Sequence, residues 1–416
     1  MSKVLEIGRN HQAGKQFNRS LIMGLVLNRG PVSRLTLSRL TRLSPASLTI
    51  LTGQLIDEGM LVEVGEEEEI SGRAGRKSMA LDLNPAAGRT LGVHITPRIV
   101  RVGLVNLKGE ILDQERLGPP SPNPAKTLER IVEATRSLMS RNYLTPQAII
   151  GMGVGAVGLV DPCQGINLKA LSLGWENVPL KQKLEQALGL PVYADNNVRG
   201  MAMAESLFGY GRTHNFYNIA VIYIGLGIGC GLLVEGKLYR GSGGAAGEIG
   251  HTIMDPQGKP CYCGARGCLE TIASEAAIVK NAQEAAELNP RGILALILSA
   301  DNDLPPVEQV LQAANAGDPD AVQIISRAGE ALGFMVITLL KVLSPDTVIL
   351  SGRVTRGTPL FVKKVVEVVK QVQSGQDHQL AVTTSTLGDD IGMVGAAALA
   401  LNQFIYSAGQ EISSSK

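Results

Sequence analysis

The sequence predicts an α/β chain in two parts: a winged helix-turn-helix with its wing and linker over residues 1–84, and a two-lobed body over residues 85–416. Three observations predict it. Three short helical patterns precede two apolar strands at the N-terminus. A meander of strands, a helix and a further buried strand follow from Thr90. A similar pattern starts again at Ile219.

The N-terminal elements can be read one by one. Phe17, Leu21, Ile22, Leu25 and Val26 repeat at helical spacing, and Arg29-Gly30-Pro31 ends that helix. Ser33 suits an N-cap for a short second helix carrying Leu35, Leu37 and Leu40. Ser44-Pro45 signals a third, with serine as the cap and proline in the first helical position. That helix turns Leu48, Leu51, Leu55 and Ile56 inward, and Gly59 closes it. Strands over Met60–Val64 and Ser78–Leu83 flank a polar loop with Glu66 to Glu69 and the run GRAGRK.

In a winged helix-turn-helix the third helix enters the major groove by its N-terminal half. The outward candidates there are Ala46, Ser47, Thr49 and Ile50, with Arg34 on the preceding helix. Arg73 and Arg76, flanked by glycines, suit a narrow minor groove or a solvated linker. The competing reading is a three-helix protein-interaction domain. Charge favours DNA: residues 1–60 hold eight lysines and arginines against three acids, in a chain whose net charge is only +1.

The body reads as strands at Thr90–Ile95, Ile99–Leu107 and Glu110–Leu117, a helix over Thr127–Met139 and a strand at Ile149–Gly155. The pattern returns at Ile219–Ile224 and Gly231–Val234, with a later strand at Thr347–Ser351. The lobes are expected over roughly 85–198 plus 393–405, and over 199–392. Ala321–Leu343 reads as a buried core helix, and Met393–Asn402 as a small-residue helix packing back on the first lobe. Strand meander, helix and buried strand together resemble a lobe of the actin-like ATPase (ribonuclease H-like) fold. Two lobes enclose a cleft where a small ligand would bind.

Composition narrows the function. Hydrophobic residues make up 44% and charged residues 19%, which excludes a disordered chain; aromatics at 4% argue against a stacking platform for single-stranded nucleic acid. The N-terminus lacks an apolar core with a cleavage site, and the most apolar run, Ile219–Val234, is broken by four glycines. A cytoplasmic protein without membrane insertion is expected.

Three of the five cysteines fall within eight residues. His251, Cys261, Cys263 and Cys268 have the spacing H-x9-C-x-C-x4-C, which suits a closed tetrahedral zinc site. Four protein ligands leave no open position, so the zinc is expected to be structural. Glu248 lies just before the cluster and Glu270 just after it, so the metal would tie two carboxylates to a histidine.

The stretch GEIGHT…DP.G..C.CG..GCLE closely resembles the signature of the ROK family (repressors, open reading frames and sugar kinases), and the resemblance spans nearly the whole chain. It implies that Glu248, His251 and Glu270 contact a monosaccharide, joined by Asn196, Asn197 and Gly158. The family's kinases need a phosphate cradle and a base for the sugar hydroxyl. Their D-x-G-G-T turn corresponds here to His94-Ile95-Thr96-Pro97-Arg98. Their aspartate base, eight residues before a glutamate, corresponds to Asn197, counted back from Glu205. An amide cannot take a proton at neutral pH. The later turns also depart, with Leu226 where threonine is usual and a single glycine at Gly352. Many similar regulators carry Arg or Lys near Ile50, and this chain does not.

The reading is a non-enzymatic regulator, a repressor of carbohydrate-utilisation genes, with a degenerate kinase body that binds a monosaccharide and a structural zinc. Operator double-stranded DNA and a homodimer or homotetramer are the implied partners. The alternative is an active ATP-dependent sugar kinase with a fused DNA-binding domain. A third reading has a protein partner, such as a sugar-transport component, in place of the small-molecule inducer.

Overall fold

Ser33 and Ser44 start the two short N-terminal helices as their positions predict. Ser33 Oγ accepts from the Thr36 amide and Ser44 Oγ from the Ser47 amide, both at 3.1 Å. The structure, a computed structural model, describes residues 12–66, 79–214, 216–301, 303–373 and 380–406. Its first elements are α1 (Gln12–Arg29), β1 (Val32–Ser33), α2 (Arg34–Thr41), α3 (Pro45–Asp57), β2 (Leu61–Glu66) and β3 (Met79–Leu83). The strands form an antiparallel sheet in the order β1-β3-β2. Ile22, Val26, Leu37, Leu48, Leu55, Leu61 and Leu81 are fully buried and form the core of this segment. α1 starts ahead of its apolar stripe, because the polar residues before Phe17 are acceptable helix formers.

Contacts divide the chain into two units, Met1–Phe208 with Ile391–Lys416, and Gly209–Asp390. The first unit continues with β4 (Arg89–Ile95), β5 (Val100–Val105), β6 (Ile111–Arg116), α4 (Pro124–Arg141) and β7 (Ile149–Ala156). A small antiparallel sheet follows, of β8 (Leu159–Asp161), β9 (Ile166–Ala170) and β10 (Trp175–Val178). Then come α5 (Leu180–Leu188), β11 (Val192–Asn196) and α6 (Asn197–Leu207). Its main sheet has the order β11-β7-β4-β5-β6.

The second unit repeats this scheme. It holds α7 (Tyr210–His214), β12 (Ile219–Ile224), β13 (Ile228–Val234) and β14 (Lys237–Tyr239), then the helices α8 (Glu270–Ala273), α9 (Glu275–Leu288), α10 (Ile293–Ser299), α11 (Pro306–Asn315) and α12 (Pro319–Leu343). β15 (Thr347–Ser351), α13 (Arg353–Gly357), α14 (Pro359–Gln373) and β16 (Ala381–Thr384) complete it. Its sheet order is β14-β13-β12-β15-β16, again a three-strand antiparallel meander with two parallel strands added beside the first. The apolar run with four glycines is the β12–β13 hairpin. α12 packs against α14 through a core that includes Leu332, Val336, Phe361 and Val365. It is a core helix that packs against α8, α9, α11 and α14, with Phe334 and Val342 left 50% and 74% exposed on its outer side.

α15 (Ile391–Leu401) returns to the first unit, as its small residues predict. Strand alternation explains why. Leu91, Val93 and Val154 point to the α4–α5 side and build the core, while Gly92 and Gly153 point to the other side, under α15. A Cβ on Gly153 would lie 1.7 Å from Ala396 O, so only glycine lets the helix approach. α6 crosses α15 where Gly200 and Gly395 touch. The lobe boundary expected between 198 and 199 thus falls inside α6, and the contact boundary follows that helix, after Phe208. Beyond α15 a π-helical turn, Asn402–Tyr406, packs against α1, and Tyr406 Oη donates to Leu107 O at 2.6 Å.

His94 ends β4 with its ring pressed on Gly392, at the start of α15. Burial, with Arg101 nearby, lowers its pKa from 6.5 to about 3. In the unfolded chain the same imidazole takes a proton near its ordinary value. Its stabilising contribution is therefore complete above pH 6.5 and is lost as the pH falls toward 3, at up to ~1.4 kcal/mol per pH unit. Urea unfolding should weaken more steeply between pH 6.5 and 5 in the native protein than in His94→Gln. Parallel curves would contradict this.

Candidate functional site

The His251–Glu270 stretch folds as a tight knuckle. Cys261 N donates to Ala265 O at 2.8 Å and Gly264 N to Cys261 O at 3.1 Å, which turns Cys261 and Cys263 toward one point. Gly267 N donates to Lys259 O, and Met254 N donates back to Gly267 O, both at 2.8 Å. Gly267 has φ +65°, and a Cβ there would lie 1.5 Å from Asp255 O, so this position requires glycine. Leu269 N donates to Thr252 O and closes the knuckle at its base.

The four expected ligands converge. One donor atom each from His251, Cys261, Cys263 and Cys268 lie within 4.8 Å of one another. Cys261 Sγ is 3.6 Å from His251 Nδ1, and Cys263 Sγ is 3.7 Å from Cys268 Sγ. These are ligand–ligand separations of a four-coordinate metal ion. Burial pushes the Cys268 thiol up to about 12 and raises that of Cys261, whereas the Ala265 amide holds Cys263 below its ordinary value. A cation at this point would displace the protons of the first two thiols.

Two carboxylate residues flank the knuckle. Glu270, nine-tenths buried, opens α8, and its Oε2 accepts from the Ile228 amide at 2.9 Å. Its carboxylate lies against Gly227, where a Cβ would stand 2.4 Å from Oε2. Glu248 is exposed and precedes the short 3-10 turn Ile249–His251, whose last amide donates to Glu248 O at 3.1 Å. With Nδ1 of His251 facing Cys261, Nε2 is left on the other side of the ring. There Tyr262 Oη stands 3.3 Å away.

Gly158, Asn196 and Asn197 belong to the first unit, so the six hydroxyl-binding candidates divide three and three. Asn196 caps α6: its Oδ1 accepts from the Val198 and Arg199 amides at 2.9 and 3.3 Å, and its Nδ2 donates to Gly158 O at 3.0 Å. Asn196 therefore holds the Gly158 turn in place and keeps one N–H for a ligand. Gly158 itself has φ +89°, and Lys169 O occupies the space a side chain would need. Asn197 is 4% exposed, and among the described residues its amide makes no hydrogen bond. Asp195 Oδ1 accepts from the Asn196 backbone amide and pairs with buried Arg199, both at 2.7 Å.

Residues 90–403 match the ROK family. The chain belongs to the ROK family. Among its relatives, the xylose repressor of Caldicellulosiruptor bescii is 30% identical over 401 residues, which cover 95% of this chain and 98% of that protein. A solved structure described as a ROK family transcriptional regulator, homolog of the E. coli MLC protein, superposes with a TM-score of 0.78 at 28% identity, covering 94% of this chain and 96% of that one. The ROK family glucokinase from Streptomyces griseus, solved with glucose and AMPPNP, gives 0.66 at 30% identity, covering 75% of this chain and 99% of its own.

In this ROK chain the α3 residues expected to face DNA stand on the outer side of the helix. Ala46, Thr49 and Ile50 are exposed, Ile50 by 61%, and Ser47 is half-buried, while Leu48, Leu51 and Leu55 fill the core. Ser47 Oγ shares a hydrogen bond with Ser44 Oγ at 2.9 Å, and Thr49 Oγ1 donates to Pro45 O. Arg34 is partly committed: its Nε donates to Thr52 Oγ1 at 2.9 Å and its Nη1 to Glu63 Oε1 at 2.8 Å, tying α2 to α3 and β2. Arg73 and Arg76 lie outside the described residues. Sequence reasoning missed Tyr262. Its place between two ligand cysteines was the available signal.

Proposed function

We propose that this ROK protein is a sugar-responsive transcriptional repressor of carbohydrate-utilisation genes, with a structural zinc and no kinase activity. One observation carries the reading. The repressor relative matches 95% of the chain, including most of the segment before residue 90, where the ROK family match begins. That segment has the element order of a winged helix-turn-helix, with the outer face of α3 open. Ala46, Ser47, Thr49 and Ile50 would read the operator, while Arg34 braces the helix behind them. Arg73 and Arg76 would follow the minor groove.

The body supplies the sensor. Glu248, His251 and Glu270 suit the hydroxyls of a monosaccharide, and Asn197 offers an amide with unmet hydrogen bonds, beside Gly158 and Asn196. Zinc fits the knuckle, because a tetrahedral zinc with three thiolates and an imidazole needs separations of about 3.8 Å between sulfurs and about 3.6 Å from sulfur to nitrogen. The two such separations measured are 3.7 and 3.6 Å. A sugar that binds one conformation better than another shifts the population, and operator affinity with it. D-xylose is the first sugar to try, given the relative's name.

The second reading, an active kinase, has the glucokinase likeness in its favour. Asn197 stands against it, since an amide cannot accept the sugar proton. Calorimetry with D-xylose and D-glucose, and ATP consumption in the same samples, separates the two. Binding without turnover is expected. Turnover that disappears in Glu248→Ala would establish the kinase.

A further inference from the structure

The side of His251 away from the cysteines is already taken. Tyr262 Oη lies 3.3 Å from His251 Nε2, and the two rings meet edge to face with centroids 5.2 Å apart. One hydroxyl thus stands at the ring nitrogen of a residue assigned to a sugar in this unit. The ring that carries it is otherwise in solvent, 62% exposed.

We propose that Tyr262 is a built-in occupant of the hydroxyl-binding set. Its phenol holds His251 Nε2 in the ligand-free protein, and a sugar hydroxyl must displace it to bind. The inference rests on the sugar-sensing reading above. Tyr262 sits between two ligand cysteines, so its backbone is fixed by the knuckle while its side chain is free to swing about χ1 and χ2. The 3.3 Å hydrogen bond to His251 is long and the ring is mostly exposed, so the occupant is easy to displace. Tyr262 therefore sets the sugar concentration at which the regulator responds without contributing to the metal site.

The test is calorimetric titration of the full-length, zinc-loaded protein with D-xylose, D-glucose and N-acetylglucosamine, comparing native protein, Tyr262→Phe and Glu270→Gln at equal metal content. Tyr262→Phe should bind the preferred sugar about 3–10-fold more tightly, the worth of one net hydrogen bond. Tyr262→Leu, which removes the ring as well, should shift the same way, and Glu270→Gln should lose binding. Native protein that binds sugar while both Tyr262 variants bind it equally or more weakly would overturn the occupant role and leave the sugar site standing. No binding by any of the proteins would overturn the sugar site, and the occupant with it.

Discussion

Removing the metal, by a chelator or by Cys268→Ser, should abolish sugar binding while operator binding survives. The rest of the knuckle is held mainly by local backbone hydrogen bonds. Its backbone hydrogen bonds span two short bridges, Ile253 to Cys268 and Pro260 to Arg266, and most of its side chains are exposed. Cys268 is fully buried, and Glu270 follows two residues later. Without the ion, three thiols and an imidazole that a cation would draw together lose their common partner. His251 and Glu270 then lose their fixed placement. A loss above about 4–5 kcal/mol in the second unit is expected, the range that loss of a metal reaches. α1, α2 and α3 belong to the other unit and keep their own core. The measurement pairs calorimetry for sugar with a mobility shift for DNA, before and after chelation. Sugar binding that persists in a metal-free sample would refute this role of the metal.

Ile50→Asp should lower operator affinity about 100-fold with sugar affinity unchanged. Ile50 is the most exposed apolar side chain on α3, and its burial neighbours Leu48 and Leu51 point the other way. A polar residue there leaves the core untouched, and surface substitutions of this kind stay within about 0.5 kcal/mol of neutral for folding. Against DNA the same carboxylate faces phosphates, and opposed like charges cost several kcal/mol. Fluorescence anisotropy with a labelled operator reads the loss. Unchanged affinity would mean that α3 does not enter the groove.

Much of this was legible from residue types alone. Ser33, Ser44 and Pro45 announced two helix starts because capping is local chemistry. The cysteine spacing announced the knuckle because ligands to one ion must lie close in a short loop. Seven of the ten strands in the two five-stranded sheets were legible as apolar runs, whereas β11, β14 and β16 were not, and the small residues of α15 foretold tight packing. What escaped the sequence depends on partners far apart in the chain. Asn196 reads as a ligand residue, yet it caps α6 and holds Gly158, which lies thirty-eight residues earlier. Arg34 reads as a DNA contact, yet it braces Thr52 and Glu63. The contact boundary after Phe208 lies ten residues beyond the lobe boundary expected from sequence, because α6 packs on α15, almost two hundred residues later. Tyr262 was passed over because its place between two cysteines gains meaning only once His251 Nε2 is set beside it.

The central claim is that one chain binds both an operator and a sugar, and that the second event weakens the first. Selection of genomic fragments by the purified, zinc-loaded protein, repeated with pooled monosaccharides, tests this directly. The account predicts a small set of enriched fragments beside carbohydrate-utilisation genes, lost when sugars are added. Fragments that stay bound at every sugar concentration, or no enrichment at all, would contradict it.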